Sequence, residues 1–535
     1  MSTKISIIPE PANIEEKTGF FLLNDDIRVE CTTNCERIGV YLRELLNPIN
    51  DDKLKVGIIK DNVPNNTIAI HTDQNIKSDS REAYILGITE NQVVITGNSP
   101  HGAFNGVQSF RQLVDPLIEF RSNDTTFEYK IPAVTIQDEP RFQWRGFMLD
   151  VARHFVSKDI VKKLIDIMAL VKLNVFHWHL TDDQGWRIQI KKYPKLIEVG
   201  SKRTDSQRVS YVGPFMVGNP HEGFYTQEEI KEVVDYAEQR FIKVIPEIEM
   251  PGHSKAALAS YPQLSCTGGP FKVANTWGIK KDIYCAGKEK TFDFLQNVLN
   301  EIIELFPSDI IHIGGDEAPK ARWKHCKDCQ ARIKKENIVS EHELQVYFTN
   351  RISDYLKEKG KKIMGWNEIL GGKLDDDAIV QFWLGNKKLA IKHMKKGRKF
   401  VMSDFLNLYV NKDYAVIPLK KCYNFEPIPD KLEQTRHDSI LGLETPMWGE
   451  FARNTKRLYW QIFPRLFAVA ETGWTRKEKK NYESFEHRLP KLLKHLEFRQ
   501  INYAPIENSN PRFLKRLFWP IMLLFEPRVP IDDGF

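Results

Sequence analysis

Three things are scarce in this 535-residue chain, and each scarcity excludes something. Cysteine occurs 7 times, an odd and low number that rules out a disulfide-dense scaffold. Long apolar runs are missing. The longest near the C-terminus, 517–525, is far short of the ~20 residues that span a bilayer, and Pro520 interrupts it. The N-terminal stretch has no apolar core of the kind a secretory signal carries, so a cytoplasmic protein is expected. A surplus of one charge is the third absence. Lys and Arg number 77 against 71 Asp and Glu, a net of +6, which gives no reason to expect a nucleic-acid or membrane partner. What remains is globular, with 41% hydrophobic and 28% charged residues. Tryptophan is in mild excess at 11; core packing is one use for an indole, and stacking on flat apolar ligand faces is another.

Residues 1–140 read as a mixed α+β domain. Alternating stretches at 83–86 and 92–95 predict strands, and apolar spacing at 35–46 and 102–113 predicts helices. From 141 the pattern becomes strand, loop, helix, repeated. Apolar runs of strand length occur at 145–149, 174–180, 243–248, 309–313, 362–365, 378–382, 399–402 and 440–446. Helical patterns lie between most of them, at 157–171, 226–239, 291–305 and 341–358. Near-continuous apolar strands alternating with helices mean a parallel sheet, and eight units over roughly 330 residues fit a closed (β/α)8 barrel. The fold class is therefore α/β: a (β/α)8 barrel over 141–500, preceded by a smaller α+β domain. A tail at 501–535, with Phe513, Leu514, Leu517, Phe518, Trp519 and Ile521, suits a helix packed on the barrel, a homodimer contact or a membrane-surface segment.

Chemistry in such barrels sits at the C-terminal ends of the strands, and site-like residues gather there. In order these are Asp150, Arg153 and His154; Thr181 to Gln184; Glu247, Glu249 and His253; Gly314-Gly315-Asp316-Glu317; Trp366-Asn367-Glu368; Trp383; Tyr409; and Trp448-Gly449-Glu450. Asp316 and Glu317 are adjacent carboxylates after two glycines that permit a tight turn. Neighbouring carboxylates push one pKa upward, which suits a general acid. Retaining glycosidases generally use two flanking carboxylates. If the sugar instead carries a 2-acetamido group, its carbonyl oxygen can attack C1. The enzyme then needs an acid/base, a carboxylate for the amide N–H and a donor to the amide oxygen. Asp316, Glu317 and Tyr409 match that set.

On these residues the chain resembles the β-N-acetylhexosaminidases of glycoside hydrolase family 20, over nearly its whole length. The resemblance rests on Gly146 to His154, on His177-Trp178-His179-Leu180-Thr181-Asp182-Asp183-Gln184, on Pro246 to His253, and most specifically on His312-Ile313-Gly314-Gly315-Asp316-Glu317. It implies an exo-acting, retaining, substrate-assisted hydrolysis of terminal β-linked GlcNAc or GalNAc with no cofactor and no metal. It implies Glu317 as general acid/base, Asp316 as the carboxylate on the acetamido nitrogen, and Tyr409 as donor to the acetamido oxygen. Arg153 and Glu450 are implied to hold sugar hydroxyls, Trp366, Trp383 and Trp448 to wall the pocket, and Asp182 and His253 to support Glu317. Two residues depart from the family's pattern. Glu249 stands where Asp is usual, and its longer side chain is expected to shift His253. Asn411, two residues after Tyr409, stands where Asp is common, and is expected to alter tolerance at sugar O4 and O6.

Weaker signals point elsewhere. His177-Trp178-His179 is an H-x-H at strand spacing, as a metal-dependent barrel hydrolase would carry. Cys326-Lys327-Asp328-Cys329 is a single CxxC, more suited to surface packing or a reversible disulfide than to zinc. Cys266 and Cys285 lie where the resemblance implies a disulfide in secreted members, and would stay thiols in a reducing cytosol. A carbohydrate-binding protein with an inactive barrel would use the same aromatics, but would not need Asp316, Glu317 and Tyr409 together.

Overall fold

The computed structural model describes residues 5–24, 26–46, 54–59, 63–120, 129–207 and 216–512. The first seven strands are β1 Asn13–Leu23, β2 Arg28–Cys31, β3 Val56–Ile58, β4 Thr67–Thr72, β5 Tyr84–Ile88, β6 Gln92–Gly97 and β7 Tyr129–Asp138. They form one sheet in the order β1-β7-β5-β6-β4-β2-β3. Alternation in β5 and β6, with every second residue buried, marks a sheet covered on one face. The cover is the helix Pro100–Leu113, opened by Ser99 accepting from the His101 N–H and by Pro100 in its first turn. Every residue from Gly102 to Leu113 is buried, because the barrel packs on its other side.

The barrel strands are β8 Trp144–Asp150, β9 Val175–His179, β10 Lys243–Glu247, β11 Ile310–His312, β12 Lys362–Trp366, β13 Ile379–Phe382, β14 Phe400–Met402 and β15 Ile440–Met447. They close in sequence order, β15 pairing back to β8 in parallel. The lumen is layered. Its floor is an apolar plug of Trp144, Val175, Ile245, Ile310, Met364, Ile379 and Val401, one side chain from each of seven strands. Two residues further along, the inward positions turn polar: His177, Glu247, His312, Gln381 and Glu444, all fully buried.

Buried charge ties the two parts together. Lys172 Nζ lies 3.0 Å from Asp138, which also accepts from Tyr84 at 2.7 Å and from the Trp474 indole at 2.9 Å. Arg145 pairs with Glu82 across the same seam. The last long helix, Tyr482–Phe498, returns to the first domain, where Arg488 donates to Ile7 O at 2.6 Å and pairs with Glu10. Ile501 and Ala504 are buried. The apolar residues 513–521 lie outside the described residues. Among the described residues no helix is long and apolar enough to cross a membrane.

Candidate active site

The polar layer is the base on which the mouth is built. Glu247 at the end of β10 collects three imidazoles. His179 Nδ1 lies 2.5 Å from Oε2, His177 Nε2 3.0 Å from the same oxygen, and His312 Nδ1 2.7 Å from Oε1. The Trp366 indole donates to Oε1 at 2.9 Å. Burial would raise the Glu247 pKa, but His312, His179 and His177 together hold it well below the usual carboxylate range. Burial in turn opposes charge on His177, yet Glu444 and Glu247 bring its pKa up to about 9. Both nitrogens of His177 and of His179 face carboxylates, Glu247 and Glu444 for one, Glu247 and Asp182 for the other. The H-x-H pair thus has carboxylate partners within the protein.

Above this layer Asp182 is the hub. It accepts from Arg153 Nη2 at 2.7 Å, lies 3.2 Å from His179 Nε2, and lies 3.2 Å from His253 Nδ1. Against the cost of burial, Arg153 and His253 hold its carboxyl far below the usual range. Arg153 is held in a fixed pose by Asp150 at 3.1 Å and Gln184 at 3.0 Å, and its guanidinium lies over the Trp448 ring. Burial would discharge His253, but Asp182 and Asp316 more than offset it and keep the imidazole protonated. Its Nε2 points at the catalytic-loop candidates, 3.5 Å from Asp316 Oδ2 and 3.6 Å from Glu317 Oε2.

The loop after β11 has an unusual backbone. Gly314, Gly315 and Glu317 have φ of +66°, +93° and +41°, all left-handed. A Cβ on Gly314 would sit 1.8 Å from Glu249 Oε2, so only glycine fits there. Glu317 has no such excuse; a bulky residue at positive φ is strained, and such strain collects at working sites. The loop is anchored by Gln345, which donates to Gly315 O at 2.7 Å. The result is two adjacent carboxylates in contrasting environments. Asp316 is 7% exposed, and burial raises its pKa to about 6 even though His253 opposes the rise. The Glu317 side chain is 36% exposed.

Aromatic rings form the wall. Trp366 and Trp448 have centroids 5.7 Å apart, Trp448 and Tyr409 6.4 Å, and Tyr409 and Trp383 are stacked at 6.1 Å. Burial raises the Tyr409 pKa well above 10, so its hydroxyl stays a donor. The Trp383 indole donates to Glu368, whose own pKa burial and then Asp316 push up to about 7. Several polar atoms of the mouth are buried without a hydrogen-bond partner among the described residues: Asp316 Oδ1, Asn411 Oδ1, Glu450 Oε2 and both oxygens of Glu249. Buried polar groups are normally satisfied, so a cluster of unsatisfied ones around a pocket marks where a polar ligand sits.

Comparison with known proteins decides the lineage. Residues 142–477 match the model for "Glycosyl hydrolase family 20, catalytic domain", and residues 4–139 match "Glycosyl hydrolase family 20, domain 2". The chain belongs to glycoside hydrolase family 20. A beta-hexosaminidase of Porphyromonas gingivalis is 41% identical over 93% of this chain, which spans 64% of that relative's length. Among solved structures, the family 20 exo beta-N-acetylglucosaminidase of Vibrio harveyi, in complex with N-acetylglucosamine, superposes with a TM-score of 0.82. It is 30% identical and is covered over 94% of this chain and 78% of its own. The beta-N-acetylhexosaminidase of Bacteroides fragilis superposes at 0.79 with 32% identity, over 95% of this chain and 99% of its own.

All eleven residues expected from the sequence fall at this family 20 barrel mouth. Asp182, His253, Asp316 and Glu317 form one chain of contacts, Arg153 is clamped beside it, and Trp366, Trp383, Trp448 and Tyr409 form one wall. Glu450 and Asn411 contribute free acceptors. His253 still reaches Asp182 despite the longer Glu249, so the expected displacement does not break that contact. Glu249 itself folds under Gly314, and burial, reinforced by Asp316 and Glu247, raises its pKa well above the usual carboxylate range. Sequence reasoning gave no role to Asp150, Gln184, Glu247 or Glu368. Their strand-end positions were the available signal. The expectation of surface packing for the CxxC pair needs correction: Cys326 is 7% exposed and Cys329 fully buried.

Proposed function

We propose that this family 20 protein is an exo-acting, retaining β-N-acetylhexosaminidase that removes a terminal β-linked GlcNAc or GalNAc by substrate assistance. One observation carries the reading: a buried carboxyl with a free oxygen, Asp316, directly beside an exposed carboxyl, Glu317, and facing a wall of indoles and a phenol. A conventional retaining site would use the second carboxylate as nucleophile. Asp316 suits a different task. It accepts the acetamido N–H, turns the amide oxygen toward C1 and balances the positive charge that grows on nitrogen. Tyr409 donates to the amide oxygen and holds it in line. Glu317 gives its proton to the glycosidic oxygen as the C1–O bond breaks and the oxazolinium ring closes. It then takes a proton from water, which adds to C1, opens the ring and leaves the anomeric configuration retained.

Arg153, pinned by Asp150, Gln184 and Asp182, is fit to grip the sugar's outer hydroxyls, with Glu450 accepting from them. Gripping the outer hydroxyls of a terminal sugar favours exo action. The N-acetylglucosamine named for the Vibrio harveyi structure agrees with this substrate class. A thiazoline mimic of the oxazolinium tests the mechanism: it is expected to inhibit as a transition-state analogue, far below substrate KM. An intact enzyme that ignores it would remove substrate assistance.

A further inference from the structure

Four of the seven cysteines meet in one place, between the connection after β10 and the segment that follows β11. Cys266 and Cys285 come from the long connection after β10. Cys326 and Cys329 bracket the start of the helix Lys327–Lys335, which follows the loop carrying Asp316 and Glu317. Their sulfurs all lie within 4.8 Å of one another. Cys285 Sγ is 3.5 Å from Cys329 Sγ and 3.7 Å from Cys326 Sγ, and Cys266 Sγ is 3.8 Å from Cys329 Sγ. None is disulfide-bonded. These separations are far beyond a sulfur–sulfur bond of about 2.05 Å. They match the edge of a tetrahedron of thiolates around a metal: with metal–sulfur bonds of about 2.3 Å, that edge is about 3.8 Å.

We propose that Cys266, Cys285, Cys326 and Cys329 bind one Zn²⁺ in a closed, structural Cys₄ site, which revises the expectation of no metal. A four-sulfur tetrahedron with no open position suits zinc held for structure. The local backbone is built for close approach. A Cβ on Gly287 would meet the Asp328 backbone carbon at 2.1 Å, so the two ligand-bearing segments touch main chain to main chain. The positive end of the helix Lys327–Lys335 lies at the thiolates. The metal's role follows from what surrounds it. Cys285 N donates to Leu264 O, Tyr284 N donates to Pro251 O, and the Trp323 indole donates to Tyr284 O. Zinc would therefore staple the connection that carries His253 to the segment that carries Asp316 and Glu317. Binding releases thiol protons and adds its free energy to folding.

The test uses the full chain, expressed with zinc supplied and purified without a metal-chelating resin. Elemental analysis is expected to find one zinc per chain, and zinc-edge X-ray absorption to find four sulfurs at about 2.3 Å. Mercurial titration should release that zinc, and the zinc-free protein should melt at a lower temperature. Cys422→Ala, remote from the cluster, should keep its zinc, while Cys266→Ser should lose it or release it faster. The proposal is overturned if the folded protein, expressed with zinc supplied, carries no stoichiometric zinc. It is equally overturned if peptide mapping finds disulfides among the four, or if the bound metal is iron.

Discussion

Two layers of the barrel, one directly above the other, treat buried charge in opposite ways. In the lower layer Glu247 and Glu444 are surrounded by His177, His179, His312, Gln381 and indole donors, and their oxygens are fully engaged. In the mouth, Asp316, Glu249, Glu450 and Asn411 each keep a buried oxygen with no partner. The lower layer is not fully satisfied, since His177 Nε2, His312 Nε2 and Gln381 Oε1 have no hydrogen-bond partner among the described residues. The difference lies in the carboxylates, which stiffen a layer when every oxygen is engaged and are costly in low dielectric when one is left open until a ligand arrives. The lower layer thus buys rigidity for the strands, and the upper layer holds binding capacity in reserve. The contrast predicts that substitutions below will cost stability and substitutions above will cost turnover.

The largest effect is expected at Glu317. Glu317→Gln should lower kcat on natural glycosides by about 10²–10⁴-fold and spare aryl glycosides whose leaving groups need little protonation. Equal losses on both would contradict a role as proton donor. Next is Glu247→Gln, which strands buried imidazolium charge. It should cost about 3–5 kcal/mol in urea unfolding, a loss carried by stability rather than by contact with substrate. Asp316→Asn should behave the other way. Turnover should fall about 10²–10³-fold. Stability should rise, because the folded protein raises this carboxyl from 3.8 to about 6. A group held more readily protonated when folded contributes stability at low pH and loses it as pH climbs from 4 past 6. The gain in Asp316→Asn should therefore be absent near pH 4 and reach up to about 3 kcal/mol by pH 8. The same titration predicts that kcat/KM of the native enzyme rises with pH through about 6, as Asp316 ionises.

Two smaller effects sharpen the boundary between the layers. Glu249→Gln replaces a neutral acid by a neutral amide of the same size, so its cost should stay within about 1 kcal/mol. A loss as large as that of Glu247→Gln would mean Glu249 is charged and paired. Asn411→Asp should change the ratio of kcat/KM on aryl GlcNAc and GalNAc substrates, and an unchanged ratio would remove Asn411 from sugar selection.

Much of the scaffold could be read from the chain because local pattern determines it. The helix expected over 157–171 spans Lys158–Leu170, and that over 341–358 is Glu341–Glu358. The apolar runs became the eight strands because a parallel strand is buried on both faces and shows it in its sequence. The mouth was legible for a related reason: once the strands are placed, their C-terminal ends name the candidates. What stayed hidden depends on contacts between distant segments. Glu249 looked like a modest lengthening of a supporting acid, and only its burial near Asp316 and Glu247, contacts made in the fold, raises its pKa. Glu368 had no signal beyond its position, since its raised pKa comes from burial beside Asp316. The CxxC pair seemed alone because its partners, Cys266 and Cys285, lie far back in the chain, and spacing cannot report a meeting between a loop and the start of a distant helix.

The central claim is that the substrate supplies its own nucleophile, with Asp316 and Tyr409 holding it. Matched aryl glycosides that differ only at C2, with acetamido, mono-, di- and trifluoroacetamido, or hydroxyl groups, test it most directly. The account predicts that kcat/KM falls steeply as fluorination weakens the amide oxygen and that the hydroxyl sugar is not turned over. Equal rates across the series, or comparable hydrolysis of the hydroxyl sugar, would contradict it.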